Sequence, residues 1–345
     1  MENIILQRGQ SLRVEHVVAA VVTNNSNGVL VSLRSPHVHQ GGMWEFPGGK
    51  VESGEKSRQA LDRELEEELG IVPVTARPKI CLLHDYPDKS VMLDVWHVDT
   101  FSGQPHGREG QEIKWVNPDE LINLKFPAAN VPVINSIRLP PFYLITPDPG
   151  EDSTRFLTIL ERALKAGIRM VQLRARNSTN RQYMDIARRA QDLCRGYEAI
   201  MLLNTEPELV AELDADGVHL NSKRLMAMSR RPVSEDRWLS ASCHNHRELT
   251  QAMLLGVDFV VISPVLATTS HPFASLLGWK GFKALCDQAS IPAYALGGMA
   301  PRHMTTAWCS GAQGIAAISA FWDLSTLERD IRDCVDGGPD IQAPS

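Results

Sequence analysis

Residues 49–71 read GKVESGEKSRQALDRELEEELGI, and this stretch sets the reading of the whole first half of the chain. Ser57 to Leu69 is strongly helical in composition, and Gly70 stops it. On that helix Glu64, Glu67 and Glu68 stand at i, i+3 and i+4, so three carboxylates share one face. Like charges at that spacing repel, and the last turns before Gly70 are where the helix dipole disfavours acids. Two local rules broken together point to a missing cationic partner. Hard oxygen donors without His or Cys favour Mg²⁺ or Mn²⁺. A solvated acidic helix face is the alternative, and the helix alone does not separate the two.

Outward from this helix, strand-like runs lie at His16–Thr23, Val29–Leu33, Ile80–His84 and Ser90–Val98. A further helical stretch, Asn130–Ile137, closes the region. Short strands around few helices predict a mixed α+β domain. Leu139-Pro140-Pro141 then punctuates the chain, so the expected domains are residues 1–138 and 139–335, with residues 336–345 a flexible tail.

The second half has a different rhythm. Strand candidates at Phe142–Thr146, Met170–Arg174, Ala199–Asn204, Gly217–Leu220, Trp238–Cys243, Phe259–Val265, Pro292–Leu296 and Gly314–Ser319 alternate with helical patterns. The helices are expected at Ser153–Ala166, Arg181–Arg195, Arg247–Leu255, Lys280–Gln288 and Pro301–Cys309. Eight strands in βα alternation predict a compact α/β TIM barrel.

The bulk properties narrow the function classes. A net charge of −6 argues against a nucleic-acid polymer as partner, though not against a small nucleotide. The six cysteines form no CxxC pair and read as reduced thiols, not a disulfide framework or zinc site. No run of 18 apolar residues spans a membrane, and the N-terminus lacks the pattern of a signal peptide, so a cytoplasmic protein is expected.

The Gly49–Ile71 stretch resembles the Nudix box, Gx5Ex7REUxEExGU with U apolar, at every defined position. That resemblance implies metal ligation by Glu64, Glu67 and Glu68 and by the Gly49 carbonyl. It implies that Arg63 orients the acids with Glu55 as its partner, a role compatible with a plain structural ion pair. Leu65 and Ile71 would pack the helix on the sheet. Further motifs resemble the MutT type, which acts on oxidised purine nucleotides: Trp44-Glu45-Phe46-Pro47-Gly48-Gly49-Lys50, Gly107-Arg108-Glu109-Gly110-Gln111 and Phe126-Pro127-Ala128-Ala129-Asn130. They imply a further carboxylate near the metal at Glu109 and a base-reading Asn130, with Arg34 and His39 as nucleotide contacts. Phe46 is either a wall of the base pocket or plain core.

Asn130 suits that role chemically. Oxidation at C8 turns the purine N7 from an acceptor into an N–H donor beside the O6 acceptor, and one amide matches that pair. Capping the final helix is its alternative use. The expected reaction is metal-assisted hydrolysis, 8-oxo-dGTP to 8-oxo-dGMP and pyrophosphate, with Glu64 the leading general base and Glu109 the next.

The second half resembles thiamine phosphate synthase and the related thiazole tautomerase. The resemblance is carried by Gln172-Leu173-Arg174-Ala175-Arg176, Leu203-Asn204, Ala215-Asp216-Gly217-Val218-His219, Ser263-Pro264-Val265 and Leu296-Gly297-Gly298-Met299. Asn204-Thr205 and Ser222-Lys223-Arg224 stand where the synthase has its Mg²⁺-holding Asp residues, and His271 and Arg176 replace lysines. Gly297, Gly298 and the backbone at Ser319 lie where barrels of this kind bind phosphate. Gln172, Arg174, Arg176 and Asn204 are candidate ligand contacts. His244 falls near the tautomerase histidine, or is an ordinary loop residue. The expectation is a barrel that binds a phosphorylated small molecule. The alternatives are a barrel active in thiamine biosynthesis, and a hydrolase for another nucleotide with a sensor barrel.

Overall fold

The computed structural model describes residues 14–37, 40–86, 89–175, 179–268, 275–323, 325 and 327–336. His39, Arg176, His271 and the tail from residue 337 therefore lie outside the described residues. The chain forms two compact units that divide between Ile134 and Asn135, inside a helix and just ahead of the expected boundary at 138/139.

In the first unit, β1 (Val14–Val22), β2 (Val29–Leu33) and β3 (Trp44–Glu45) lead to α1 (Ser57–Leu69). Then follow β4 (Val72–Asp85), β5 (Ser90–Ser102) and β6 (Ile113–Val116). One sheet has the order β1-β5-β4, with β1 parallel and β4 antiparallel to β5; the other runs β3-β2-β6 and is antiparallel. Helix α1 buries Ala60, Leu61, Leu65 and Leu69 against Ala20, Leu30 and Trp96. This apolar stripe turns Glu64, Glu67 and Glu68 away from the core.

α1 and β2 match their expected spans. β4 begins at Val72 rather than Ile80: Pro73 and Pro78 mask its alternation, and the ladder shifts register beside both. The short β3 and β6 give no periodic signal, and the sequence reading missed them. The expected helix Asn130–Ile137 is a 3₁₀ turn, Ala128–Asn130, running into α2 (Val131–Arg138).

The second unit is a closed parallel barrel. Its strands are β7 (Phe142–Ile145), β8 (Met170–Leu173), β9 (Ile200–Leu203), β10 (Gly217–Leu220), β11 (Trp238–Cys243), β12 (Phe259–Ile262), β13 (Ala293–Leu296) and β14 (Gly314–Ala317), with β14 pairing back to β7. Between them lie α3 (Ser153–Lys165), α4 (Asn180–Gly196), α5 (Leu209–Leu213), α6 (Ser222–Ala227), α7 (His246–Leu254), α8 (Gly278–Cys286) and α9 (Met304–Cys309). α10 (Ser319–Trp322) and α11 (Leu327–Asp336) follow β14. The five expected helices form within a residue or two of their predicted ends, Pro301–Cys309 as a 3₁₀ turn plus α9. The short α5, α6 and α10, and the terminal α11, went unread. The barrel core holds a ring cluster, with Tyr143, Phe259 and Tyr294 centroids 5.5–5.8 Å apart. Buried Gln313 donates to the carbonyls of Ser136 (2.9 Å) and Leu139 (2.7 Å), satisfying groups that the end of α2 leaves open.

Candidate active site

Helix α1 is fastened at both ends. Its start receives a hydrogen bond from Lys56 N–H to Gln59 Oε1 (3.0 Å). Its last carbonyls are taken by the loop that carries Glu109: His106 N–H donates to Leu69 O (3.1 Å), Arg108 N–H to Glu68 O (2.9 Å), and the Gln111 amide to Glu68 O (3.1 Å). The same bonds that cap α1 thus bring Glu109 to its acidic face.

Arg63 organises the acids. It grips Glu55 through two bonds of 3.1 and 3.0 Å, and donates to Glu64 (2.8 Å), Glu67 (3.3 Å) and the Lys50 carbonyl (3.0 Å). This hold pushes the guanidinium pKa further up, through Glu55 first and then Glu64. Arg63 is thus the centre of an ion-pair cluster that holds the Glu55, Glu64 and Glu67 carboxylates together. Glu64 is packed on the backbone of Gly49, where an added Cβ would lie 2.4 Å from the carboxylate. On Gly48, at φ +146°, an added Cβ would lie 2.2 Å from Val18 O, and its N–H donates to Glu68 Oε2 (3.1 Å). The two glycines let the loop lie flat between sheet and carboxylates.

Glu68 is the strained group. Burial pushes its carboxyl up to about 8; the Gly48 N–H opposes this, and the charges of Glu45, Glu64 and Glu109 add to it. Glu45 is raised too, chiefly by burial, with Arg34 counteracting and Glu109 contributing; its carboxylate is ion-paired to Arg34. Among the described residues, no three carboxylate, His or Cys side chains make a preformed cage. Arg63 draws Glu64 and Glu67 to one side, Glu67 is 61% exposed, and the Gly49 carbonyl already accepts from Val18 N–H (2.9 Å). The donor chemistry nevertheless fits a hard divalent cation: only oxygen donors are present, and burial followed by the charges of neighbouring acids pushes the Glu68 carboxyl up, a cost that a cation would offset.

A cavity of about 390 Å³ joins the remaining residues. Arg34, Glu45, Phe46, Gly49, Glu68 and Asn130 line it, and Glu109 borders it too. Asn130 is 9% exposed and its own N–H bonds Pro127 O. Phe46 is core and wall at once, buried and stacked on Phe126 at 5.3 Å. Sequence reasoning missed Glu45 as a charged neighbour, although it lies within the Trp44–Lys50 motif. It also missed Glu15, Lys50 and Lys89, which line the same cavity with Glu15 bridging both lysines (2.9 and 2.7 Å).

In the barrel, a cavity of about 380 Å³ opens at the strand C-termini. It brings together Gln172, Arg174, Asn204, His244, Gly297, Gly298 and Ser319, all expected from the sequence. No Asp or Glu is among its described lining residues. His244 is not a bare loop residue: its Nδ1 meets Glu248 Oε2 (2.8 Å) and Ser222 Oγ (3.0 Å). Gly297 and Gly298 have a packing reason: a Cβ on Gly297 would stand 3.0 Å from Pro264 Cα, and one on Gly298 2.5 Å from Ala267 O. Sequence reasoning did not single out His219, Ser242 or Glu248 as site residues.

These two sites define a hydrolase unit and a barrel unit of recognisable families. The NUDIX domain model matches residues 18–136, and the model described as thiamine monophosphate synthase matches residues 142–321, more than half of the chain. The chain therefore belongs to the thiamine monophosphate synthase family through its barrel, and its first unit is a Nudix hydrolase. A putative thiamine-phosphate synthase 2 of Aquifex aeolicus is 35% identical over 185 residues, covering 54% of this chain and 99% of that protein. The 8-oxo-dGTP diphosphatase of Escherichia coli is 36% identical over 122 residues, covering 35% of this chain and 95% of that protein. A solved MutT structure (Aliivibrio salmonicida and Vibrio cholerae) is 41% identical and covers 36% of this chain and 97% of that one, with a TM-score of 0.33. Both expected folds, and their fusion in one chain, are borne out. No helix of the described residues is long and apolar enough to cross a membrane.

Proposed function

We propose that the first unit hydrolyses an oxidised purine nucleoside triphosphate, 8-oxo-dGTP, to its monophosphate and pyrophosphate, clearing damaged precursors from the nucleotide pool. The observation that carries this reading is one cavity lined by a buried Asn130 together with Gly49, Glu68 and Glu109. The similarity to the diphosphatase of E. coli supports the same substrate. Mg²⁺ or Mn²⁺ held by Glu64, Glu67, Glu68, Glu109 and the Gly49 carbonyl would neutralise the triphosphate and acidify a water. The water oxygen forms a bond to the β-phosphorus, and the bond from that phosphorus to the bridging oxygen of the α-phosphate breaks. The water proton passes to a carboxylate, Glu64 first and Glu109 second. Arg63 and Glu55 keep Glu64 in line, while Asn130 accepts from N7–H and donates to O6. A panel of nucleotides assayed for pyrophosphate release on the full chain tests this. Faster turnover of ADP-ribose or of a dinucleotide overturns the substrate class.

For the barrel, the reading we favour is binding of a phosphorylated small molecule without thiamine phosphate synthesis. A cavity lined by Arg174 and His244 and free of carboxylates among its described lining residues suits an anion taken up directly. Similarity to thiamine-phosphate synthases supports the alternative, a barrel acting in thiamine formation. Calorimetry of the full chain with a thiazole phosphate, with and without EDTA, should show binding that ignores the chelator. Thiamine phosphate made by the purified chain overturns the binding-only reading, and a tautomerase activity lost in His244→Ala would make the barrel an enzyme.

A further inference from the structure

At one wall of the barrel cavity β11 ends at Cys243 and α7 begins at His246, so the turn between them carries His244 and Asn245. Asn245 caps α7, its side chain accepting from the Glu248 N–H (3.0 Å). Glu248 reaches back past this cap. One of its oxygens, Oε2, accepts from the His244 backbone N–H (2.8 Å) and lies 2.8 Å from His244 Nδ1. Ser222 Oγ, at the start of α6, lies 3.0 Å from the same ring nitrogen. The other ring nitrogen, Nε2, has no hydrogen-bond partner among the described residues. His244 lines the cavity with its side chain 42% exposed, whereas that of Glu248 is 16% exposed.

A backbone N–H only donates, so the oxygen that receives it acts as an acceptor, and an ionised carboxylate has no hydrogen of its own to give. Burial disfavours the Glu248 charge, yet the hydrogen bonds from the His244 ring and backbone outweigh it and hold the carboxyl below the usual carboxylate range. A bare Nδ1 at 2.8 Å would set one lone pair against another, whereas a protonated one makes a charge-assisted hydrogen bond. Nδ1 therefore carries a hydrogen whether the ring is neutral or charged. The Ser222 hydroxyl can donate or accept, so it adapts to the ring and does not decide the tautomer. We infer that Glu248 is a positioning residue: it locks a hydrogen on His244 Nδ1, so that Nε2 is the atom where the ring gains or loses a proton and the nitrogen left for a ligand in the cavity. A neutral ring accepts there from an O–H or N–H of the ligand. A protonated ring donates there to a phosphoryl or carboxylate oxygen, with Glu248 balancing its charge. The use by a ligand rests on the reading of this cavity as a ligand site, whereas the lock does not.

The test is the tautomer of His244, read by ¹⁵N NMR of the histidine rings in the full chain with the ring neutral, its signals assigned by their loss in His244→Gln. We expect a protonated Nδ1 and a bare Nε2, the reverse of the form that histidine favours in water. Glu248→Ala should return the ring to the Nε2–H form, which Ser222 can support by donating to Nδ1. Glu248→Gln should keep the lock, because its amide oxygen must stay where the His244 backbone N–H points, and Ser222→Ala should keep it too. Were Glu248 only a cap for α7, the tautomer would not respond to its removal. An Nε2–H ring in the parent, an unchanged tautomer in Glu248→Ala, or loss of the lock in Glu248→Gln or Ser222→Ala overturns the assignment. For the ligand, a thiazole phosphate that binds by calorimetry should move the Nε2 signal while Nδ1 stays protonated. Binding that leaves Nε2 unmoved overturns the role at the cavity. Absence of binding is instead a failure of the ligand reading, and the tautomer result stands apart from it.

Discussion

Replacing Glu68 with Gln should make the metal-free protein more stable while abolishing its response to metal. In the unfolded chain this carboxyl ionises near 4.5, whereas in the folded chain burial and three neighbouring acids push it up to about 8. Between those values the unfolded form is charged and the folded form is not. Folded stability is thus full below the lower value and falls by about 1.4 kcal/mol per pH unit as pH rises towards the upper one. By pH 7 the loss reaches about 3 kcal/mol, reduced to about 1–2 kcal/mol by relaxation and water around a group that is not fully enclosed. Gln removes the ionisation and keeps an oxygen for the Gly48 N–H. Thermal unfolding in EDTA at pH 7 should therefore place the Nudix unit of the variant roughly 4–10 °C above the parent. At about pH 4 the advantage should vanish, because both states are then protonated. Adding Mg²⁺ at about 100 times its Kd should raise the parent by about 2.7 kcal/mol and the variant by little. A variant less stable than the parent in EDTA at pH 7, or equally favoured at low pH, would refute the reasoning.

Asn130→Ala should narrow the preference for 8-oxo-dGTP over dGTP, measured as the ratio of kcat/KM. A buried group left without its partner costs about 1–3 kcal/mol, or roughly 5- to 150-fold, so unchanged discrimination would place base reading elsewhere. Gly49→Ala forces a methyl to within 2.4 Å of the Glu64 carboxylate; kcat should drop about 100-fold through misplacement of that acid, with circular dichroism unchanged. Gln313→Leu strips the donors from the Ser136 and Leu139 carbonyls. The barrel should lose about 2–6 kcal/mol in denaturant unfolding, and a neutral outcome would mean that water replaces the amide.

Much of the first unit was legible because its signals are local. The acid spacing at Glu64, Glu67 and Glu68, the stop at Gly70 and the glycine loop are all fixed by near neighbours in the chain. β4 was half-read because Pro73 and Pro78 obscure a strand that survives by shifting register at each. Short elements such as β6 and α5 owe their existence to tertiary packing, since a few residues cannot hold a strand or helix alone. The eight barrel strands were all legible, because apolar strands in regular alternation with helices leave few other folds.

By itself, the sequence determined which residues carry charge, where helix and strand periods change, and that two folds share one chain. Only the tertiary structure decided how those charges feel one another. Glu45, at the end of β3, becomes a neighbour of Glu68 and Glu109 through the sheet and the cap of α1, and its charge adds to the rise that burial imposes on the Glu68 carboxyl. Likewise Gln172 and Asn204 stand on different strands and far apart in the chain, yet the barrel makes them hydrogen-bond partners at 2.9 Å. Burial removes the water that would otherwise screen a charge or break a hydrogen bond, and burial is a property of the packed molecule.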